Sequence, residues 1–470
     1  MYQYQGIDDT IVGIATATGP GGIGIVRLSG GDAIGIAGKA FRPKNNKEIS
    51  QCRSHIIHYG HVIDPRQKVD GEYEVIDEVL LSVMRGPKSY TAEDVVEIHC
   101  HGGSAAVKAV LETVLDAGAR LAEPGEFTKR SFLNGRIDLT QAEAVLDIIN
   151  AKTGAFLKVS THQLKGELTA ELEVVREDLM RVYTEIEAAV NFSEDDLDAR
   201  GRAQIAGILN SGLGKIRRLL SSADQGRILK EGIKIVLCGR PNVGKSSLLN
   251  ALLKTPRAIV SAVEGTTRDT IEETAQIKGV PLQLVDTAGI LEPRDLIEEE
   301  AVKRSRMYIR GADLVVLMLD ASRSLSSEDE KVIDGIEDQK VLVVVNKDDL
   351  EPVLREEDIA ARLPGRPVVR VSAVKKKGLG ALENAVLDLV LKTHSVDPHG
   401  LMISNLRHIQ ALKKCEEHIV ESVNLLQRGD VLEVVSDDVK RAVNQLDAVT
   451  GKNIDENLID QIFSSFCIGK

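Results

Sequence analysis

A glycine loop between an apolar run and a helix-like run constrains the fold of this chain more than any other feature. The loop reads Gly-Arg-Pro-Asn-Val-Gly-Lys-Ser over residues 239–246, after the apolar run 233–238 and before 247–253. A strand, a glycine loop and a helix start in this order form a phosphate-binding loop, because N–H groups of the loop and of the helix N-terminus face the phosphates. The order predicts a doubly wound sheet with a nucleotide at the carboxyl ends of its strands.

Side chains of this loop predict contacts in addition to those of the backbone. Lys245 is placed to reach the β- and γ-phosphates, and the Ser246 hydroxyl is a ligand for Mg²⁺. The nucleotide-binding residues predicted in this segment are Asn242, Val243, Gly244, Lys245, Ser246 and Ser247.

Two later motifs predict the metal-facing side of the same site. Asp-Thr-Ala-Gly at 286–289 follows the mostly apolar run 281–285, so its aspartate is expected at a strand end, facing Mg²⁺ through water. Gly-Thr-Thr-Arg-Asp at 265–269 is typical of a switch loop, in which Thr267 is the second hydroxyl ligand for Mg²⁺. The motifs predict nucleotide contacts by Gly265, Thr266, Thr267, Asp286, Thr287, Ala288 and Gly289.

Two further motifs, each after a strand-like run, predict which nucleobase the site binds. Asn346-Lys347-Asp348-Asp349 follows 341–345, and Asp349 can accept hydrogen bonds from guanine N1 and N2. Adenine lacks this donor pair and would leave the carboxylate unpaired, so the motif favours GTP over ATP. The Lys347 stem can lie along the base. The backbone of Ser372, Ala373 and Val374 is expected to meet the guanine O6.

The residue after Asp-Thr-Ala-Gly bears on how GTP is hydrolysed. It is Ile290, whereas Ras-like proteins carry there the glutamine that orients the attacking water. The acidic segment 292–300 follows, and Glu298 is the candidate for that task. The residues alone favour another interpretation, in which these acids form the solvated first turn of a helix over 298–309, at the positive end of its dipole.

Length, charge and cysteine usage bound the remaining possibilities. The 470 residues predict about three domains, and a net charge of −12 with 3% aromatic residues is unlike a general nucleic-acid binder. Any RNA contact would come from a local basic patch or from a partner. The start is polar and no apolar run is long enough to span a bilayer, so we expect a cytoplasmic protein without membrane contact. Five scattered cysteines without a C-x-x-C pair indicate a reducing compartment and no structural zinc.

Periodicity predicts the organisation outside the nucleotide domain. Residues 1–125 mix β-like and helix-like runs and are expected to form an α+β domain. Helical spacing predicts a helical domain in two parts, 126–228 and 394–470, into which the nucleotide domain 229–393 is inserted. Gly19–Gly24 matches G-x-G-x-x-G, but a β-like run follows, so no dinucleotide site is expected. His99-Cys100-His101 is expected to be a strand running into a turn rather than a metal site.

Over its whole length from Thr10, the chain resembles the MnmE (TrmE) family of bacterial tRNA-modifying GTPases. The resemblance rests on the nucleotide motifs, on Phe-Leu-Asn-Gly-Arg at 132–136 and on the final Cys-Ile-Gly-Lys at 467–470. It implies that Glu298 orients the water and that a potassium ion replaces an arginine finger. The implied potassium ligands are Asn242, Ser261, Val263 and Thr266, and the implied nucleotide-contacting loop adds Ser261, Ala262, Val263 and Glu264.

The same resemblance implies a second site in the N-terminal domain. That domain is expected to form a homodimer and to bind a tetrahydrofolate derivative, either 5-formyl- or 5,10-methylenetetrahydrofolate. The implied folate residues are Arg27, Glu97, Arg136 and Lys470. Arginines suit the glutamyl carboxylates, and a glutamate suits the donor edge of a pterin. Cys467 is either a nucleophile toward uridine or a bystander in a buried tail, and the absence of an evident base or positive neighbour favours the second.

The resemblance implies an enzyme that couples GTP hydrolysis to modification of tRNA. The implied product is a carboxymethylaminomethyl or aminomethyl group at C5 of the wobble uridine, made with the FAD-dependent partner MnmG (GidA). A ribosome-assembly switch of the Era or Der kind is the alternative. It would require a basic RNA-binding appendage, whereas the C-terminal part here is helical and mixed in charge. A stand-alone one-carbon transferase would require a complete catalytic site in the N-terminal region, and none is evident.

Overall fold

The computed structural model describes residues 9–17, 19–45, 48–69, 71–191, 199–253, 272–286, 307–336, 338–391 and 400–470. The chain divides into two compact units. One comprises residues 1–146, 163–183 and 439–470, and the other 147–162 and 184–438. Among the described residues no helix is long and apolar enough to cross a membrane.

The first unit contains a seven-stranded sheet of order β3-β4-β5-β6-β2-β1-β7. Its elements are β1 (Ile11–Ile14), β2 (Ile23–Ser29), α1 (Ala33–Ala40), β3 (Phe41–Pro43), β4 (Ile56–Val69), β5 (Glu72–Met84), β6 (Val95–His101), α2 (Ser104–Asp116), β7 (Arg120–Leu121) and α3 (Glu126–Leu133). All neighbouring strands are antiparallel except β1 and β7. This mixture confirms the predicted α+β character.

Alternation along β2 and β6 separates the core of this sheet from its polar face. Val26, Leu28, Val96 and Ile98 are buried in a core that also includes side chains of α1 and α2. Successive strand residues point to opposite faces, so Arg27 and Glu97, which are paired in register, lie on the other face. The strand β2 also begins within Gly19–Gly24, so no helix follows that glycine loop, as predicted.

A buried arginine, Arg130, contacts three carboxylates of the first unit. The Arg130 side chain is 2% exposed, and its Nη2 lies 2.8 Å from Asp9 Oδ1 and 2.9 Å from Glu126 Oε1. Its Nη1 lies 3.3 Å from Glu93 Oε2 and donates to the Asp9 carbonyl at 2.9 Å. Burial would raise the pKa of the Glu126 carboxyl, but hydrogen bonds from Arg120, the backbone and Arg130 hold it below its usual value.

Arg130→Met is expected to destabilise this unit by about 3–5 kcal/mol, because it leaves buried carboxylates without a partner. The measurement is urea unfolding of the full chain. Arg181→Met is the control, since Arg181 is 66% exposed and pairs with Asp178 three residues away, an arrangement worth about 0–1 kcal/mol. Equal stability of the two variants would contradict the role given to Arg130.

Helices dominate the chain between the two sheets and after the second one. The first group is α4 (Leu139–Asn150), α5 (Gly154–Leu164), α6 (Glu167–Asn191), α7 (Ala199–Ser221) and α8 (Ala223–Glu231). The helices α4 to α7 lie within the predicted first helical part, 126–228, whereas α8 ends at Glu231, beyond that bound. Of the predicted helix over 298–309, residues 298–306 lie outside the described part of the chain.

The second unit contains a six-stranded sheet of order β13-β12-β11-β8-β10-β9. Its elements are β8 (Ile233–Cys238), α9 (Lys245–Leu253), β9 (Glu272–Ile277), β10 (Val280–Asp286), β11 (Leu314–Asp320), α10 (Ser327–Asp334), β12 (Val341–Asn346), α11 (Glu356–Arg362), β13 (Val368–Arg370) and α12 (Leu379–Leu391). All neighbouring strands are parallel except β9 and β10. Every residue of β11 and β12 is buried, as expected of parallel strands covered on both faces.

Two separate cores lie on the two faces of this sheet. One includes side chains of α5, α8, α9 and α12, and the other side chains of α10 and α11. Helices on both faces of a mainly parallel sheet confirm the predicted doubly wound fold. The phosphate-binding loop follows β8, and the guanine motifs follow β12 and β13, so all of them lie at the carboxyl edge.

Three helices complete the chain: α13 (Leu406–Arg428), α14 (Leu432–Thr450) and α15 (Glu456–Ser464). In the second unit α13 packs beside α7, with Arg217 Nε 2.7 Å from Glu416 Oε1 and Arg202 donating to the Asp430 carbonyl at 3.0 Å. In the first unit Arg176 of α6 lies 2.5 Å from Asp447 of α14. Helices from before and after the second sheet therefore pack together. This supports the inserted arrangement, whose bounds stay a prediction.

Candidate functional sites

The phosphate-binding loop has a backbone that only particular residues can adopt. Gly239 and Gly244 have φ of 142° and 100°, and Asn242 has φ of 62°. A Cβ atom on Gly239 would lie 2.5 Å from the Met318 carbonyl, and one on Gly244 would lie 2.2 Å from Asn346 Nδ2. Glycine is therefore required at both positions by close approach as well as by φ.

Lys245 and Ser246 stand where a phosphate and a metal would need them. The Lys245 ammonium donates to the carbonyls of Gly239 and Arg240 at 2.7 and 3.1 Å, so it lies over the loop. Ser246 and Ser247 follow in the first turn of α9, and both are exposed. The N–H groups of this first turn lie at the N-terminus of α9, which is the positive end of the helix dipole. The arrangement suits a phosphate group with a cation beside it.

The amide of Asn346 joins the two halves of the nucleotide site. The side chain is 3% exposed, and its Nδ2 donates to the Val243 carbonyl at 2.8 Å. Its Oδ1 accepts from the Ala373 N–H at 3.1 Å. The asparagine thus ties the phosphate-binding loop to the loop after β13. Because the Ala373 N–H is taken, the adjacent N–H of Val374, a residue 77% exposed, is the better candidate for the guanine O6.

Asp349 is held as an oriented carboxylate at the same edge. The Ser372 hydroxyl donates to its Oδ1 at 2.6 Å, and this bond lowers the pKa of the Asp349 carboxyl. An ionised carboxylate only accepts, so it suits two donors on one edge of a base. The Asp348 N–H donates to the Val371 carbonyl at 3.1 Å, which places the motif beside the 372–374 loop.

In the first unit, Arg27 and Glu97 meet on the polar face of the sheet. Arg27 Nε lies 2.8 Å from Glu97 Oε1, and the side chains are 14% and 18% exposed. Arg27 also donates from Nη1 to the Gly469 carbonyl at 3.3 Å. Burial lowers the pKa of the Lys470 amine, and the Arg27 charge lowers it further against the opposing effect of Glu97. The C-terminal tail therefore lies at this pair.

The tail reaches this position because of its glycine and its aromatic residues. Gly469 has φ of 95°, and a Cβ there would lie 2.0 Å from the Ile14 carbonyl. Phe463 and Phe466 are buried, and the Gly125 N–H donates to the Cys467 carbonyl at 3.3 Å. Cys467 itself is exposed. Ile468 is exposed as well, so the expectation of a buried tail is wrong for these two residues.

Arg136 joins the cluster through an aromatic ring. Its guanidinium carbon lies 5.3 Å from the centroid of Tyr90, and that of Arg27 lies 5.5 Å from the same centroid. Distances of this size are typical of cation–π contacts. Residues 27, 97, 136 and 470 are far apart in the sequence. The fold brings Arg27 and Arg136 to Tyr90, pairs Glu97 with Arg27, and places Lys470 where the charges of Arg27 and Glu97 act on it.

Comparisons with known proteins identify the family. Residues 10–136 match the family model described as GTP-binding protein TrmE N-terminus, and residues 139–467 match that of the MnmE helical domain. A tRNA modification GTPase MnmE of Desulforamulus reducens is 48% identical over 465 residues, which are 99% of this chain and 100% of the relative. Another, of Alkaliphilus oremlandii, is 46% identical over 467 residues, again 99% and 100%.

The chain belongs to the MnmE family of tRNA modification GTPases. Membership in the MnmE family confirms the resemblance drawn from the motifs and the predicted GTPase. It also agrees with the fold: an N-terminal α+β part, helices, and a doubly wound nucleotide-binding sheet.

Part of the predicted MnmE-type nucleotide site lies outside the described residues. This applies to the water-orienting candidate Glu298 and to every predicted residue of the switch loop and of the Asp-Thr-Ala-Gly motif after its aspartate. They are Ser261, Ala262, Val263, Glu264, Gly265, Thr266, Thr267, Thr287, Ala288 and Gly289. Asp286 is the last residue of β10, at the carboxyl end of a strand, as predicted.

Asp320 lies beside the predicted nucleotide-binding residues, although no motif revealed it. It ends β11, and its Oδ2 lies 2.6 Å from Lys347 Nζ and 4.0 Å from Arg240 Nη2. Burial would raise the pKa of its carboxyl, but hydrogen bonds from Lys347 and Ser322 outweigh burial and lower it. Asp320 therefore positions the lysine that is predicted to lie along the base. Its signal was an aspartate directly after a strand-like apolar run.

His99, Cys100 and His101 end the strand β6, which confirms that this segment is a strand. Cys100 is buried and its Sγ lies 3.3 Å from the Gly24 carbonyl, whereas His101 Nδ1 lies 2.6 Å from Asp77. His99 Nε2 lies 3.5 Å from Glu97 on the polar face. No group of three or more potential metal ligands occurs among the described His, Cys, Asp and Glu residues.

Proposed function

We propose that this MnmE-family GTPase couples GTP hydrolysis to the modification of tRNA at C5 of the wobble uridine. The added group is carboxymethylaminomethyl or aminomethyl, and an FAD-dependent partner of the MnmG kind takes part in the chemistry. The observation that carries the proposal is a cluster in which Arg27 and Arg136 share the Tyr90 ring, Glu97 pairs with Arg27, and the charges of Arg27 and Glu97 act on Lys470. The same chain has the motifs of a guanine-selective nucleotide site. A GTPase switch alone has no need of the first cluster.

The nucleotide site supports GTP as the substrate. Asp349, oriented by Ser372, would accept hydrogen bonds from guanine, and Asn346 ties the loop after β13 to the phosphate-binding loop. Ser246 and Thr267 would hold Mg²⁺, which neutralises phosphate charge. Hard cations prefer oxygen ligands, and the exposed Ser246 hydroxyl beside Lys245 fits that preference.

A potassium ion is proposed to take the place of an arginine finger. Asn242, Ser261, Val263 and Thr266 would hold it with side-chain and backbone oxygens. Of these, Asn242 is described: it is exposed, in the left-handed region, at the outer turn of the phosphate-binding loop. A monovalent cation beside the phosphates supplies positive charge that stabilises the transition state. In this chain Glu264 adds an acidic side chain to the same loop.

The N-terminal cluster is proposed to bind 5-formyl- or 5,10-methylenetetrahydrofolate, the carbon donor. Glu97 suits the donor edge of the pterin, and the cations Arg136 and Lys470 suit glutamyl carboxylates. Burial lowers the pKa of Lys470, so an anion that enters the site would restore a favourable partner for its charged form. The exposed Cys467 stays a candidate nucleophile toward uridine, with a bystander in an exposed part of the tail as the alternative.

Partners follow from charge and from the family. The net charge of −12 favours tRNA binding through a local patch or through the MnmG-type partner rather than over the whole surface. A homodimer, with GTP bringing two G domains together, is part of the proposal, as is a cytoplasmic location.

Deletion of the gene is expected to abolish C5 aminomethyl-type wobble uridines in bulk tRNA, and its restoration to return them. Nucleoside mass spectrometry measures both. Restoration with Arg27→Ala tests the folate cluster separately, because this change leaves the nucleotide site intact. An unchanged nucleoside profile in the deletion strain would overturn the proposal and favour the ribosome-assembly alternative, which ribosome-subunit profiles would then test.

A further inference from the structure

Tyr90 contacts both arginines of the N-terminal cluster, although no motif pointed to it. It lies between β5 and β6, and its ring contacts the guanidinium groups of both Arg27 and Arg136. Its hydroxyl is 2.9 Å from the Thr128 Oγ1, and Thr128 is fully buried in α3. Burial raises the pKa of the Tyr90 phenol, so the ring stays neutral at physiological pH. A neutral ring tied at its hydroxyl end has a fixed orientation.

The two arginines at this ring differ in how firmly they are held. Arg27 has the Glu97 carboxylate at 2.8 Å, the Gly469 carbonyl at 3.3 Å and the Phe127 ring at 5.8 Å in addition to Tyr90. Arg136 is exposed and has, besides the ring, a long contact of 3.4 Å to Ser131. The aromatic ring is therefore the main restraint on the Arg136 guanidinium.

We propose that Tyr90 is a positioning residue of the folate site, which holds Arg136 in the place where it meets the glutamyl carboxylate of the ligand. The inference rests on the proposed folate function. The electron-rich face of the ring attracts each guanidinium and so stabilises the charge of both arginines at this residue. Arg27 and Glu97 form the inner, fixed end of the site, and Arg136 forms the outer end. A guanidinium already in position loses less rotamer entropy when it binds a carboxylate.

Tyr90→Leu in the full-length protein is expected to weaken binding of 5-formyltetrahydrofolate about tenfold, since a partly desolvated cation–π contact is lost together with the order it imposes. Isothermal titration calorimetry measures the affinity. Tyr90→Phe keeps the ring and should stay within about threefold of the unchanged protein, because it removes one neutral hydrogen bond. The control is Tyr73→Leu. The Tyr73 ring also makes cation–π contacts elsewhere in the same sheet, with its centroid 5.4 Å from the Arg42 guanidinium carbon and 4.7 Å from Lys68 Nζ. This variant should bind the ligand normally.

A truncated ligand separates positioning from a general loss of structure. With 5-formyltetrahydropteroate, which lacks the glutamyl group, the unchanged protein and Tyr90→Leu should bind equally, because Arg136 no longer has its carboxylate. An equal loss with both ligands would show a structural role for Tyr90 and overturn the inference, as would full-strength binding of 5-formyltetrahydrofolate by Tyr90→Leu. If the unchanged protein binds neither ligand, the proposed folate function itself fails.

Discussion

Asp349→Asn is expected to lower the affinity for GTP about 100-fold, because a charge-assisted hydrogen bond is worth about 1.5–3 kcal/mol and the new amide N–H faces the guanine amino group. The same change is expected to raise the affinity for xanthosine triphosphate. Xanthine has a carbonyl in place of that amino group, so the asparagine amide can donate to it while its oxygen accepts from N1. Ser372 holds the side chain at 2.6 Å, so the replacement is presented in a similar place.

Nucleotide affinities measured by fluorescence titration check this exchange. Asp334→Asn is the matched control, since Asp334 is an exposed carboxylate in the same domain that pairs with Arg362 at 3.2 Å. It should leave both affinities unchanged. If Asp349→Asn kept its preference for GTP over xanthosine triphosphate, Asp349 would not read the base.

Glu298→Ala is expected to reduce the rate constant of GTP hydrolysis by about 10²–10⁴, the usual range for a residue that activates or orients the attacking nucleophile. GTP affinity should change little, because the proposed contact is to water and not to the nucleotide. Single-turnover hydrolysis and a binding titration separate the two quantities. Running the assay in KCl and in NaCl also tests the proposed potassium ion, whose loss should slow the unchanged protein.

Glu299→Ala is the control for this experiment, because it removes the same charge from the same acidic run. If Glu298 acts on water, only its own replacement slows hydrolysis. If the acids are instead a solvated helix start, both variants should hydrolyse GTP at similar rates. Loss of GTP binding by Glu298→Ala would contradict the proposal that Glu298 contacts the attacking water and not the nucleotide.

The nucleotide site was predictable because its determinants are local. The phosphate-binding loop and the two guanine motifs lie at the ends of β8, β12 and β13, and parallel strands place their carboxyl ends at one edge, so Gly244, Asn346 and Ser372 had to converge. Sequence alone missed Asp320, because an aspartate after an apolar run has no distinctive spacing. The sequence also did not predict that the Ala373 N–H donates to Asn346 Oδ1.

The N-terminal site was not predictable from local pattern. Residues 27, 97, 136 and 470 were expected to share a site only because the chain resembles a family, and as single residues each is an ordinary surface charge. Tyr90 carried no signal in the sequence at all. The buried Arg130 was equally hidden, since its partners at positions 9, 93 and 126 come from different parts of the first unit.

The sequence by itself determined the order of elements, the nucleotide class and the family, because glycines, strand ends and short motifs restrict the backbone within a few residues of themselves. Only the tertiary structure decided which distant side chains meet. Burial of one face of the first sheet turned Arg27 and Glu97 to the other, and the close fit of Gly469 against Ile14 brought the tail to them. Such meetings depend on packing over hundreds of residues, which no short pattern records.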